Sequence, residues 1–287
     1  MRVAHPSECE WSSEEHPTGA LAFKYLLEGK EFTPENYVLI VAKNAKKFDM
    51  PRHRHYFDQF RYAIDGELNI GDGIRIRQGE LGYFPEGTPY GPQDDPAGPL
   101  AMVIQCGGGS GQGYLSRRQY NEGHTRLASK GRFEGSVFIA QGPDGQEKRT
   151  FSIDAIYDEI FGRRPVYPKP RYADPVIMSP EAFDWVPVEG TRGVAVKLLG
   201  SFTERATVAE VVRLDPGARL ELAAGHAIEL GFVVDGDAVI ADRPLRRHSA
   251  FEIGPGERAT LAAATSTILL VFRLPMLRGQ GSAEKAA

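Results

Sequence analysis

Cysteine is almost absent: Cys9 and Cys106 are the only two in 287 residues. That excludes a disulfide-built scaffold and points to a reducing compartment. Long apolar runs are missing as well. A stretch such as Ile268-Leu269-Leu270-Val271-Phe272 is far short of a membrane span and reads as a buried strand. No charge dominates: 34 Lys and Arg against 38 Asp and Glu give a net charge of −4. Without a basic tract or a helix-turn-helix pattern, neither nucleic acid nor a membrane surface is an expected partner. The polar, acidic stretch from Met1 to Glu15 lacks the apolar core of a signal peptide, so a cytoplasmic location is expected.

Glycine and proline, by contrast, punctuate the chain. Between them lie short, often alternating runs: Tyr37–Val41, Phe60–Ile64, Ile74–Arg77, Met102–Gln105 and Val208–Val212. Such spacing predicts sandwiches or barrels. The run Gly107-Gly108-Gly109-Ser110-Gly111-Gln112-Gly113 has no Lys-Ser/Thr ending, so it reads as an exit loop and not a phosphate cradle.

The chain also repeats itself. Ala63–Asp72 matches Val233–Asp242 at an offset of 235 − 65 = 170, including an Asp-Gly pair between two strand-like runs. Both central residues of a type I′ hairpin turn need positive φ, which is why Asp-Gly marks one. The same offset sets Pro85 opposite Pro255, and Leu21–Lys24 resembles Val194–Lys197. The expected organisation is an N-terminal segment (1–19), a first β-domain (20–115), a connector (116–184), a second β-domain (185–275) and a flexible tail (276–287). In the connector, Ile153, Ile156, Tyr157, Ile160 and Phe161 share one helical face, with Ser152 as N-cap and Gly162 as stop. Arg163 to Pro175 is rich in proline and aromatics. It is expected to be extended, lying either on its own chain or on a second subunit.

The most informative stretch is Pro51-Arg52-His53-Arg54-His55-Tyr56-Phe57-Asp58-Gln59. Side chains alternate along a strand, so His53, His55 and Gln59 share a face, as does Phe57, while Asp58 points away. Paired imidazoles suit a divalent transition metal.

His53-x-His55-x3-Gln59-x6-Gly66 followed by Gly79-x5-Pro85-x-Gly87-x2-Tyr90 resembles the two blocks of the cupin pattern, and the whole chain resembles a bicupin. The resemblance implies an all-β fold of two tandem double-stranded β-helix (jelly-roll) barrels with a partly helical connector. It also implies a metal in the mouth of the first barrel, with His53, His55, Gln59 and Tyr90 at the ligand positions. Fe(II) is favoured by the resemblance, with Mn, Ni, Zn or Cu as alternatives.

Two of those positions depart from the family. Gln59 replaces a carboxylate and Tyr90 a histidine; an amide is a weaker ligand, and a phenol coordinates well only as phenolate. Gln59 and Tyr90 are therefore candidates for catalysis as much as for ligation. Phe57, Arg61 and Tyr83 (or Phe84) are candidate substrate contacts, with Arg52 and Arg54 at the rim. In the second copy the offset replaces the histidines with Ala223 and Gly225, Gln59 with Glu229 and Tyr90 with Thr260. His226 falls out of phase and reads as a surface partner of Glu229, and His124 has no assigned place.

The resemblance implies a dioxygenase acting on a small chelating or aromatic substrate. A metal-dependent or metal-free isomerase or decarboxylase, and a non-catalytic binding module, remain open alternatives. A homodimer is the expected assembly.

Overall fold

A computed structural model describes residues 1–16, 19–95, 98–142 and 145–277; most of the expected tail lies outside the described residues. The first half contains β1 (Arg2–Ala4), β2 (Ser12–His16), β3 (Gly19–Glu28), β4 (Tyr37–Met50), β5 (Asp58–Asp65), β6 (Leu68–Gly71), β7 (Ile74–Ile76), β8 (Leu81–Phe84), β9 (Gln93–Asp95) and β10 (Leu100–Cys106). The connector carries α1 (Arg117–Ala128), a three-stranded sheet of β11 (Gly131–Glu134), β12 (Val137–Gln141) and β13 (Glu147–Phe151), and α2 (Ser152–Phe161). The second half runs through β14 (Val176–Met178), β15 (Val186–Pro187), β16 (Val194–Ser201), β17 (Val208–Leu214), β18 (Arg219–Ala223), β19 (Glu229–Asp235), β20 (Ala238–Ile240), β21 (Arg243–Leu245), β22 (Ala250–Ile253), β23 (Arg258–Ala263) and β24 (Thr267–Arg273). The described residues are thus mostly β, with α1 and α2 in the connector. Among the described residues, no helix is long and apolar enough to cross a membrane.

Strand alternation sorts each half into an inner and an outer face. In the first half, Val38, Ile40, Ala63 and Val103 of the eight-stranded sheet meet Leu68, Ile70 and Ile76 of the small β6–β7 sheet. In the second, Val212, Val233 and Leu269 of the seven-stranded sheet meet Leu222, Ile240 and Leu261 of the four-stranded sheet. The opposite faces of the two large sheets meet each other. There Phe60 lies 5.6 Å from Phe202 and 5.0 Å from Phe272 (ring centroids), and Tyr83 lies 4.3 Å from Phe202. The cluster they share includes core residues of both halves.

The halves also trade strands. N-terminal β1 pairs with β22 of the second half, and β14 pairs with β8 of the first. Each traded strand leads into a short 3-10 turn, Pro6–Glu8 or Pro180–Ala182. Behind it a lysine donates to the proline carbonyl, Lys24 to Pro6 at 2.5 Å and Lys197 to Pro180 at 2.7 Å. Each lysine also lies over a tryptophan, Trp11 or Trp185. The repeat therefore extends through Pro6…Trp11 and Pro180…Trp185, at an offset of 174 that a constant 170 conceals.

In the connector, Gly162 in the left-handed conformation ends α2 as expected, but Phe151 holds the N-cap position and Ser152 is already helical. Helix α1 was not anticipated. It starts at a capping box in which the Ser116 hydroxyl accepts from the Gln119 amide and the Gln119 side chain accepts from the Ser116 amide.

The extended arm packs on its own chain. Arg171 pairs with buried Glu86 at 2.7 Å, Thr88 donates to the Tyr172 carbonyl, and the Arg54 guanidinium lies 4.7 Å from the Tyr167 ring. The approach is close: a Cβ on Gly87, whose φ is 79°, would lie 2.2 Å from the Pro168 carbonyl oxygen.

Candidate functional site

Backbone pairing brings the two sequence blocks together. His53 and Tyr90 form an isolated antiparallel bridge, each amide donating to the other's carbonyl at 2.9 Å. Gln59 pairs with Phe84 across β5 and β8, and cross-strand partners share a face. The interior of the first half thus gathers His53, His55, Gln59, Arg61, Phe84 and Tyr90. Ring centroids of His53 and His55 are 4.9 Å apart, and His53 lies 4.4 Å from Tyr90.

Phe57 packs 4.5 Å from His55 on one side and 5.3 Å from Tyr114 on the other, as part of the cluster that joins the connector helices to this segment. Phe57 thus lies beside His55 and at the same time seats the connector.

Tyr83 is a correction. The register that pairs it with Phe60 turns it onto the outer face, where its hydroxyl donates to Asp58 at 3.0 Å and its ring packs on Phe202. Phe84 takes the inner place instead. Asp58 points away from the site, as alternation predicts, and is wholly buried. Burial and neighbouring Glu86 push its carboxyl up to about 7, against the hydrogen bonds it accepts.

The arginines separate cleanly. Arg52 reaches the Gly91 and Pro89 carbonyls, and Arg54 covers Tyr167. Arg61 alone enters the site. Its Nε donates to Gln59 Oε1, and its Nη2 donates to the Tyr90 hydroxyl at 2.9 Å. The guanidinium carbon lies 4.7 Å from the Phe84 ring centroid. No carboxylate forms an ion pair with Arg61 among the described residues.

Proton positions follow from these bonds. The Tyr90 oxygen accepts from Arg61 and lies 2.8 Å from His55 Nε2, a bond we assign with the phenol as donor. His55 is then the neutral tautomer with its proton on Nδ1. His53 Nδ1 donates to the Pro51 carbonyl at 2.8 Å, which leaves Nε2 as the basic nitrogen. Burial lowers His53 to about 4, with the Arg61 charge adding to the fall and the Pro51 hydrogen bond opposing it. Burial, then His53 and Arg61, hold His55 well below the usual histidine range. The Tyr90 phenol is raised by burial, with Arg61 pulling against that rise.

These residues do not suit a divalent cation. The ligand positions offer two neutral imidazoles, an amide and a phenol held protonated, with no anion among them. The oxygens of Gln59 and Tyr90 already accept from a guanidinium that would repel the ion. No group of three or more His, Cys, Asp or Glu able to hold a metal occurs among the described residues. Gln59 Nε2, moreover, is buried without a hydrogen-bond partner. Such an orphan costs about 1–3 kcal/mol and calls for an acceptor, not for another cation.

Among the described residues, the second half has nothing equivalent. Glu229 takes its hydrogen bonds from Arg273 at 3.2 and 3.3 Å, not from His226, which is exposed. Glycine stands at 231, the place matching Arg61. Two details of the constant offset also change. Glu229 pairs with Ile253 as Gln59 pairs with Phe84, so Pro255 aligns with Glu86 and not with Pro85. Gly256 donates to Ala224 as Gly87 donates to His55, which puts Ala224 in the second imidazole's place. His124 lies on α1, stacked 4.1 Å from Phe133 and outside the site.

The paired blocks, the inner face and the trade of sheets fix the architecture. The fold is cupin-like. Solved structures agree over 96% of this chain: a candidate dioxygenase from Nostoc punctiforme (9% identity, TM-score 0.63, 83% of that chain covered) and oxalate decarboxylase from Bacillus subtilis (13% identity, TM-score 0.57, 76% covered). A further oxalate decarboxylase structure, studied for its substrate binding mode and a reaction specificity switch, matches at 14% identity and TM-score 0.56, covering 96% of this chain and 77% of that one. At these identities the likeness is one of fold. No protein-family model matches the chain, and no curated protein matches it in sequence. The cupin-like inner face therefore has to be read from its own side chains.

Proposed function

We propose that this chain is a bicupin whose first barrel acts on a small organic anion as an isomerase or decarboxylase, without a bound divalent ion. One observation carries the reading: Arg61 holds Gln59 and Tyr90 at two of the positions where the cupin pattern puts metal ligands. A fixed guanidinium supplies the positive charge that would stabilise an enolate-like oxygen as it develops. The unpartnered Gln59 Nε2 adds a second donor for such an oxygen.

The proton machinery lies alongside. His53 Nε2 serves as the base, kept neutral at pH 7 by its low pKa. Tyr90 delivers a proton to substrate carbon or oxygen and shares it with His55 across the 2.8 Å bond. In an isomerisation the proton taken from one carbon returns to its neighbour. In a decarboxylation the electron pair left by departing CO2 is protonated by Tyr90. Decarboxylation has a parallel at the level of fold in oxalate decarboxylase, a protein described with Mn(II) centres, a metal that the donors here do not suit. The dioxygenase expectation depends on an iron that these donors do not suit.

The test is deuterium exchange. Metal-stripped protein is incubated in D2O with small 2-oxo and 3-oxo acids, and exchange at carbon and CO2 release are followed by NMR. Exchange should survive chelation and be lost in Arg61→Met and Tyr90→Phe. Turnover only on addition of Mn(II) or Fe(II) would overturn the proposal.

A further inference from the structure

A second place for a ligand lies where the two halves meet. The C-terminal ends of β5 and β19 line an open pocket of about 440 Å3 with Tyr62, Ile64 and Val234 on its walls. Ile64 and Val234 are repeat-related positions. The rim is less symmetrical: Gln78 and Gly79 come from the first half, Arg247 and His248 from the second.

The turns that carry these rim residues are equivalent. Gly79 donates to the Ala63 carbonyl and His248 to the Val233 carbonyl, and each is followed by a residue closing a turn onto Arg77 or Arg246. Both positions require a left-handed backbone, with φ of 85° at Gly79 and 69° at His248. Glycine adopts it freely, whereas a side chain with a Cβ is strained there. The first half places the unstrained residue at this position and the second half a histidine, next to an arginine that replaces Gln78. A non-glycine residue held in this conformation raises the question of what its side chain does there.

That side chain is well placed for one. The His248 ring stacks on Phe232 at 12° between planes, with centroids 5.7 Å apart. Arg247 is exposed and forms no ion pair among the described residues. The remaining rim charge, Asp235, is exposed and belongs to the Asp-Gly hairpin turn.

We propose that this pocket binds a small organic monoanion with an apolar body. The carboxylate of the ligand meets Arg247 and the His248 ring, and its apolar part lies on Tyr62, Ile64 and Val234. Asp235 at the rim disfavours a second negative charge. The proposal is independent of the chemistry assigned to the first half.

Benzoate is the probe, with benzamide as its neutral counterpart, titrated calorimetrically into the full chain and into Arg247→Gln, His248→Gly and Arg61→Met. Saturable benzoate binding should survive Arg61→Met, weaken about tenfold or more in Arg247→Gln and His248→Gly, and exceed binding of benzamide. His248→Gly should also raise the melting temperature, because it relieves strain retained for binding. Four results would overturn the proposal: no saturable binding; affinity indifferent to Arg247→Gln; binding lost in Arg61→Met but kept in Arg247→Gln, which assigns the anion to the first half; or a lower melting temperature for His248→Gly, which makes the ring a packing element.

Discussion

Arg61 donates to the Tyr90 hydroxyl at 2.9 Å while Tyr90 passes its own proton toward His55 at 2.8 Å. A positive charge, a phenol and a neutral imidazole thus form one chain inside the first half. Gln59 is tied to the same guanidinium. Replacing any one of them removes a hydrogen bond on which another member depends.

Gln59→Glu should therefore create an ion pair with Arg61 and not a metal site. Cobalt(II) titration, followed by visible absorption, should show no gain over the wild type. Combining Gln59→Glu with Arg61→Ala removes the competing cation and leaves two imidazoles beside a carboxylate, which should bind cobalt(II). A gain in the single variant equal to that in the double would contradict the role given to Arg61.

Acid should weaken the fold through His53. Folded His53 titrates near 4, against 6.5 for the ordinary side chain. Between those values the unfolded chain binds more protons, so stability rises with pH, by at most about 1.4 kcal/mol per pH unit for one group. Asp58, raised to about 7, acts in the opposite sense, losing stability as pH rises from 3.8 toward that value. Comparing wild type with His53→Gln cancels the Asp58 contribution. Urea unfolding from pH 4 to 6.5 should rise less steeply in the variant, and parallel curves would refute the assignment.

The site was legible in part. Parity along Pro51–Gln59 foretold the convergence of His53, His55 and Gln59, and one further step of two residues reaches Arg61. The same alternation turns Arg52 and Arg54 away, but parity alone does not show that Arg61 ties Gln59 and Tyr90 together. Tyr83 and Phe84 were indistinguishable until the register of β8 on β5 was known, since one residue of slip exchanges the faces. Helix α1 is polar and carries Gly123, so periodicity passed over it, although Ser116-x-x-Gln119 was a readable start signal. The Pro6…Trp11 and Pro180…Trp185 pair is hidden by loop-length differences that move the offset from 174 there to 169 at His55, 170 at Gln59 and 169 again at Glu86.

Breaking the arm's buried ion pair should be costly. Glu86 is fully buried, and Arg171 links it to exposed Glu204. Arg171→Met leaves a buried carboxylate without its cation and should destabilise the fold by about 3–5 kcal/mol in urea unfolding. Glu86→Gln added to Arg171→Met should recover part of that loss. Full stability in the single variant would show that the arm contributes nothing to the fold.

The contact between the halves should make them unfold together. Phe202 packs on Phe60 and Tyr83 of the first half. Phe202→Ala should cost about 3–5 kcal/mol and lower one common calorimetric transition. Two separate transitions in the wild type, with only one shifted by the substitution, would show that the halves fold independently.

The central claim is that a guanidinium stands where the cupin pattern puts a metal. Its most direct test is elemental analysis of protein purified without chelators or affinity metals, beside His53→Ala/His55→Ala. The account predicts no stoichiometric transition metal in either protein. About one iron, manganese, nickel, zinc or copper per chain in the wild type, absent from the double variant, would contradict it.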